Sequence, residues 1–144
     1  MGKAGPKILV INDTPEILDL FRDLLTTEGY TVATNRFAAN LGDVLGQARE
    51  LDPDLIVLDF IIGGEPLGWQ FLQMLRMDRQ TKEVPVVVCT AAADLVRELG
   101  GHLDQMHVGV VLKPFDIDQL LEVIGRLLEP GPYTPPGGTA PAAG

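Results

Sequence analysis

The chain has little cysteine and little positive charge. Its 144 residues include one cysteine, Cys89, and two histidines. No disulfide framework can form within the chain, and no Cys-x-x-Cys or Cys/His ligand spacing is present. A reducing compartment, the cytoplasm, is the expected setting. Eleven Lys and Arg stand against twenty Asp and Glu, a formal net charge of −9. That excludes the basic footprint of a nucleic-acid-binding surface and suits cations or basic partners. Long apolar runs are missing too. The N-terminal run, Ile8 to Ile11, is too short for a signal-peptide core, and no stretch reaches the length of a membrane span. No GxGxxG follows that run, no GxxxxGK occurs, and no Ser/His/Asp arrangement is visible. An independent enzyme is therefore the weakest class of reading.

Apolar content is ample. Hydrophobic residues make up 46% of the chain, enough for one domain with its own core. Five short apolar runs punctuate it: KILVI (7–11), YTVAT (30–34), DLIVLD (54–59), VPVVVC (84–89) and VGVVL (108–112). They are rich in Val and Ile, and the first, third and fourth are nearly continuous, as in strands buried on both faces of a parallel sheet. Helical spacing fills the gaps. Ile17, Leu20, Phe21, Leu24 and Leu25 mark a first helix, with Thr14 as N-cap, Pro15 at its first position and Gly29 at its stop. Leu41 to Leu51 and Leu67 to Met77 mark the second and third. Leu95, Val96, Leu99, Leu103 and Met106 mark a fourth, weakened by Gly100 and Gly101. Ile117, Leu120, Leu121, Ile124 and Leu128 mark a fifth, with Asp116 and Gln119 spaced as a capping box.

Strand then helix, five times over, predicts an α/β domain with helices on both faces of a parallel sheet. The folded domain is expected over 1–129. The remaining stretch, 130–144, is dominated by Pro, Gly and Ala and reads as a flexible tail or linker stub. The chain is either a whole protein or a piece of a longer one.

Open α/β sheets bind ligands at the C-terminal ends of their strands. The first run ends in Asn12-Asp13, the third in Asp59, the fourth in Thr90 and the fifth in Lys113-Pro114. Asp59 is notable because apolar residues lie on both sides of it, in LIVLDFII. Singly, each residue has a plain structural use: Asp13 as a helix cap, Thr90 as a cap or strand former, Lys113 as a surface charge. Together they gather two carboxylates, a hydroxyl and an ammonium at one edge. Two close carboxylates call for a cation between them, and a hard cation such as Mg2+ suits oxygen donors. A carboxylate is also a nucleophile towards phosphoryl groups, whose charge a metal and a lysine would neutralise.

These pieces resemble the receiver domain of bacterial two-component response regulators (CheY-like). The matching stretches are KILVINDTPEILDLFRDLLTTEGY, PDLIVLDF, VPVVVCTA and VVLKPFDIDQLL, spanning residues 7–128. The resemblance implies a flavodoxin-like (βα)5 fold, doubly wound, with a five-stranded parallel sheet in the order 2-1-3-4-5. It implies Asp59 as phosphoacceptor, Thr90 as switch hydroxyl and Lys113 as the charge-neutralising lysine, followed by a cis peptide at Pro114. Mg2+ would be held by Asp13, Asp59 and the Ile61 carbonyl, with Asn12 contributing through water. The phosphoryl donor would be a sensor histidine kinase or a His-containing phosphotransfer protein. The output would be a downstream protein or output domain contacted through the face of the fourth helix, fifth strand and fifth helix, a face that would also serve a homodimer. No nucleic-acid or membrane contact is expected.

Four departures from the family pattern stand out. Asn12 occupies the place of a first acidic residue, which removes a charge and lowers the expected Mg2+ affinity. The loop FIIGGEPLGW lacks the family's proline, and its glycine comes one place late, as Gly68. Val110 replaces the switch aromatic, and Met106-His107 replaces a small-residue pair. These changes motivate an alternative, a phosphorylation-independent receiver-like scaffold, against which the retention of Asp13, Asp59, Thr90 and Lys113 argues. Cys89 is expected as a core residue, His102 and His107 as solvated or packed side chains, and Trp69 as a cover for the loop or an anchor for the third helix.

Overall fold

A computed structural model describes residues 5–37, 40–106, 108–114 and 116–128, with the backbone alone at 102, 104 and 105. The expectations for the 130–144 tail, for the His102 side chain and for His107 lie outside the described residues. The elements are β1 (Lys7–Ile11), α1 (Pro15–Thr27), β2 (Thr31–Asn35), α2 (Leu41–Leu51), β3 (Leu55–Leu58), α3 (Leu67–Met77), β4 (Val86–Thr90), α4 (Ala93–Gln105), β5 (Val108–Leu112) and α5 (Ile117–Leu128). The strands form one parallel sheet in the order β2-β1-β3-β4-β5, the doubly wound arrangement expected. Among the described residues no helix is long and apolar enough to cross a membrane.

Strand alternation divides the core in two. Ile8, Val10, Leu55, Val57, Val87, Cys89 and Val111 face Leu18, Phe21 and Leu25 of α1 and Leu120, Val123 and Ile124 of α5. Leu9, Ile11, Ile56, Leu58, Val86 and Val88 face Val44 and Ala48 of α2, Phe71, Leu72 and Leu75 of α3, and Leu103 of α4. Apolar runs without alternation follow from this, since both strand faces are covered.

Some boundaries differ from expectation. β2 runs one residue later than YTVAT, and β4 starts after Pro85, which has no N–H to give the ladder. β3 stops at Leu58, so Asp59 is the first residue beyond the strand. The reason is local: the Asp59 carboxylate accepts from the Ile61 N–H at 3.0 Å and turns the chain out of the sheet. In α1, Leu18 is buried and Leu20 is 49% exposed, because 18, 21 and 25 make the inward stripe. Thr14 is the N-cap as expected, yet its side chain makes no capping bond; its own N–H is taken by Asn12.

α4 is the most lightly held helix. Of its described side chains only Leu103 is fully buried, and it runs unbroken through Gly100 and Gly101, its poorest helix formers. Its C-terminal end is pinned from α3. Arg76, largely buried, donates from Nε to the Met106 carbonyl at 3.0 Å and from a terminal guanidinium nitrogen to the Val84 carbonyl at 2.7 Å.

Three glycines mark opposite extremes of packing. Gly68 lies against the backbone leaving β3: a Cβ there would sit 1.8 Å from the Asp59 carbonyl oxygen. Gly100 and Gly101 have open space around a Cβ. Gly68→Ala should therefore lose about 3 kcal/mol in urea unfolding, whereas Gly100→Ala should gain about 0.5–1 kcal/mol by helix propensity.

Cys89, a core residue as expected, is 2% exposed. Burial pushes its thiol up to about 12; the nearby Lys113 opposes the shift and Asp59 adds to it. The folded chain thus keeps a proton that the unfolded chain releases above about 9, so this group erodes stability as pH rises through that window. Iodoacetamide at pH 8 should leave the native protein unmodified and label it fully once urea unfolds it.

Candidate functional site

The site is built where the strands end. Register places Ile11 beside Leu58, and Leu58 beside Val88. The residues that follow, Asn12 and Asp59, therefore leave the sheet side by side, and Asp59 is level with Cys89. On the far side Cys89 pairs with Val111, two residues before Lys113. Lys113 reaches back across β4 and donates from Nζ to Asp59 Oδ2 at 3.1 Å. The carboxylate and ammonium side chains are 13% and 27% exposed, so solvent screens the pair only in part.

Asp59 answers the problem of a charge next to apolar strands with one donor per oxygen: Ile61 N–H on Oδ1 and Lys113 on Oδ2. The same short-range device ends three other strands. Asn12 Oδ1 accepts from Thr14 N–H at 2.8 Å, Asn35 Oδ1 from Phe37 N–H at 2.7 Å, and Thr90 Oγ1 from Ala92 N–H at 3.2 Å. Thr90 is completely buried, and its carbonyl accepts from the Lys113 N–H at 2.9 Å, which fixes where Lys113 starts. The Lys113-Pro114 peptide is cis, as expected.

The loop after Asp59 holds the second carboxylate. Asp13 Oδ2 accepts from the Gly63 N–H at 2.8 Å. Ile62 and Glu65 exchange both backbone hydrogen bonds, at 2.9 and 3.2 Å, around Gly63 and Gly64. Both glycines have positive φ, +62° and +79°, which a two-residue turn of this hand requires. The loop in which an extra residue is expected closes in a tight turn at its tip. Gly68 still packs on the Asp59 backbone, and its N–H donates to the Phe60 carbonyl at 3.0 Å. Trp69 stands edge-to-face on Phe60, centroids 5.9 Å apart, and so anchors α3 beside the site. Val110 is half-buried in the core shared with α2, α3 and α4 and pairs with Val88, two rungs before Thr90–Leu112.

The structure brings Asp59, Lys113 and Ile61 into direct contact and joins Asp13 to the same loop. Thr90 is turned to Ala92. Among the described residues no group of three or more His, Cys, Asp and Glu gathers for a metal. Asp59 and, through Gly63, Asp13 bring two carboxylates to the same loop. Such a set fits a hard cation that keeps much of its water. Sequence reasoning missed the Asp13–Gly63 contact, which spans the two loops, and the engagement of the Asn12 oxygen by Thr14, which the Asn-x-Thr spacing does signal.

Comparison with known proteins gives a consistent picture. A family profile described as the response regulator receiver domain matches residues 8–125. RpaA of Synechocystis, a DNA-binding dual master transcriptional regulator, is 34% identical over 125 residues, covering 85% of this chain and 49% of RpaA. The chain spans about half the length of several such curated relatives. The chemotaxis protein CheY4 of Vibrio cholerae superposes with a TM-score of 0.72 at 25% identity, covering 86% of this chain and 99% of CheY4. The response regulator TrrA of Thermotoga maritima, in complex with Mg2+ and BeF, superposes with a TM-score of 0.68 at 26% identity over 85% of this chain and 98% of TrrA. Sheet order, strand-end chemistry and sequence match thus agree, and the chain belongs to the response regulator receiver domain family.

Proposed function

We propose that this domain accepts a phosphoryl group on Asp59 from a histidine kinase or His-containing phosphotransfer protein and passes the signal on through a protein surface. The observation that carries the reading is the Asp59 carboxylate beside Lys113 at 3.1 Å on the C-terminal edge of the sheet. An Asp59 oxygen attacks phosphorus, the P–N bond to the donor histidine breaks, and an acyl phosphate remains. Lys113 exchanges the carboxylate for a phosphoryl oxygen without leaving its place after β5. The Thr90 hydroxyl accepts one hydrogen bond from Ala92 and keeps its own proton to donate to the phosphoryl group. Asp13, Asp59 and the Ile61 carbonyl are the residues that would hold Mg2+, which supplies charge neutralisation at the phosphoryl oxygens. Catalysis extends no further than the domain's own phosphorylation and dephosphorylation.

Signal output rests on elements that a buried group can move. Recruiting Thr90 and Lys113 to a new dianion biases α4, lightly packed at its N-terminal end, and β5. The face of α4, β5 and α5 carries Leu112 and Ile117, 41% and 47% exposed. It is the proposed contact for a downstream partner, an output domain or a second copy. The acidic chain argues against DNA contact by this domain itself. A cytoplasmic setting follows from the proposed kinase partnership.

Incubation with acetyl phosphate and Mg2+, followed by intact-mass spectrometry, tests the assignment. The wild type should gain one phosphoryl group and Asp59→Asn none; Lys113→Ala should be modified roughly 100-fold more slowly. A folded wild type that stays unmodified, by acetyl phosphate and by kinase alike, would support the scaffold reading instead.

A further inference from the structure

We propose that Asn12 donates a hydrogen bond to the phosphoryl group on Asp59 and is no ligand of the metal, direct or through water. The inference rests on Asp59 being the phosphoacceptor and goes on to assign a role to the residue at which this chain departs from its family. Asn12 is only 4% exposed. Its Oδ1 accepts from the Thr14 N–H at 2.8 Å, which fixes the amide orientation, because a backbone N–H meets an oxygen and not an NH2. The other end of the amide, Nδ2, has no hydrogen bond among the described residues. No fully buried side-chain nitrogen or oxygen among them lacks a partner, so Nδ2 still touches solvent. Register sets Asn12 beside Asp59 at the exits of adjoining strands. The side chain therefore offers the site a free donor, while one lone pair of its oxygen is already committed to Thr14. A carboxylate in this place would cap Thr14 with one oxygen and keep a second for the metal or its water. Metal-bound water is itself a hydrogen-bond donor, so an NH2 group cannot hold it. The oxygens of a phosphoryl group, which carry negative charge, are the matching partner.

Three measurements separate these roles. Asn12→Ser keeps an oxygen for the Thr14 N–H and removes the amide donor, while Asn12→Asp supplies the missing acceptor. Calorimetric Mg2+ titration of the unphosphorylated proteins should find Asn12→Ser within about twofold of wild type and Asn12→Asp tighter by roughly tenfold. The phosphorylated proteins, stripped of metal with EDTA and followed by intact mass, should lose the phosphoryl group roughly tenfold faster in Asn12→Ser than in wild type. Thermal melts check that each variant is folded; should Asn12→Ser not fold, the Asn12→Asp titration decides alone, since equal affinity would mean that the native oxygen already serves the metal. Weaker Mg2+ binding by folded Asn12→Ser, or an unchanged phosphoryl lifetime, overturns the role of Asn12 and leaves that of Asp59 intact. A wild type that takes up no phosphoryl group overturns both.

Discussion

A carboxylate at the mouth of a wholly buried strand must find partners for both oxygens, and much of this site follows from that requirement. Leu55 to Leu58 are all inaccessible or nearly so, which leaves Asp59 no polar neighbour within the sheet. Its partners come from the next turn of chain and from across β4. The first partner ends the strand; the second crosses the sheet edge over Cys89. With Asp59 held twice, the loop that follows has a defined start, and Asp13 fixes that loop again at Gly63.

Polar side chains that bond two residues ahead form a recurring means of leaving this sheet. Asn12, Asn35, Asp59 and Thr90 each use it. Each satisfies a backbone N–H that no longer has a strand partner and turns the chain towards its helix. At Asp59 and Thr90 the same atoms serve the proposed chemistry. Structural and chemical uses of these residues are therefore not competitors. An Asp or Thr that caps a turn still holds a second oxygen or a proton for other work, and Asn12 holds the two N–H bonds of its amide.

Most of the fold could be read from the chain, because nearly continuous Val- and Ile-rich runs separated by helical periods admit few alternatives. Asp59, Thr90 and Lys113 were legible for the same reason: each follows or ends such a run. What escaped was relational or fine-grained. The Asp13–Gly63 bond joins residues from two loops that only the folded sheet brings together. Leu20 and Leu18 are both leucines on one amphipathic helix, and which of them faces inward depends on how α1 rolls against β1 and β2. The exit at Leu58 rather than Asp59 reflects a single side-chain bond that competes with the ladder.

The closed turn at Gly63 and Gly64 carries its own link to the loop after β1: the Gly63 N–H is held by Asp13. Ile62 and Glu65 meet at its base, so residues between them project outwards, while Gly68 returns to the Asp59 backbone. A chain that lengthens or shortens at this tip therefore also moves the donor that Asp13 holds. A tag or fluorophore grafted at the tip would thus be felt by Asp13 as well as by the turn that carries it.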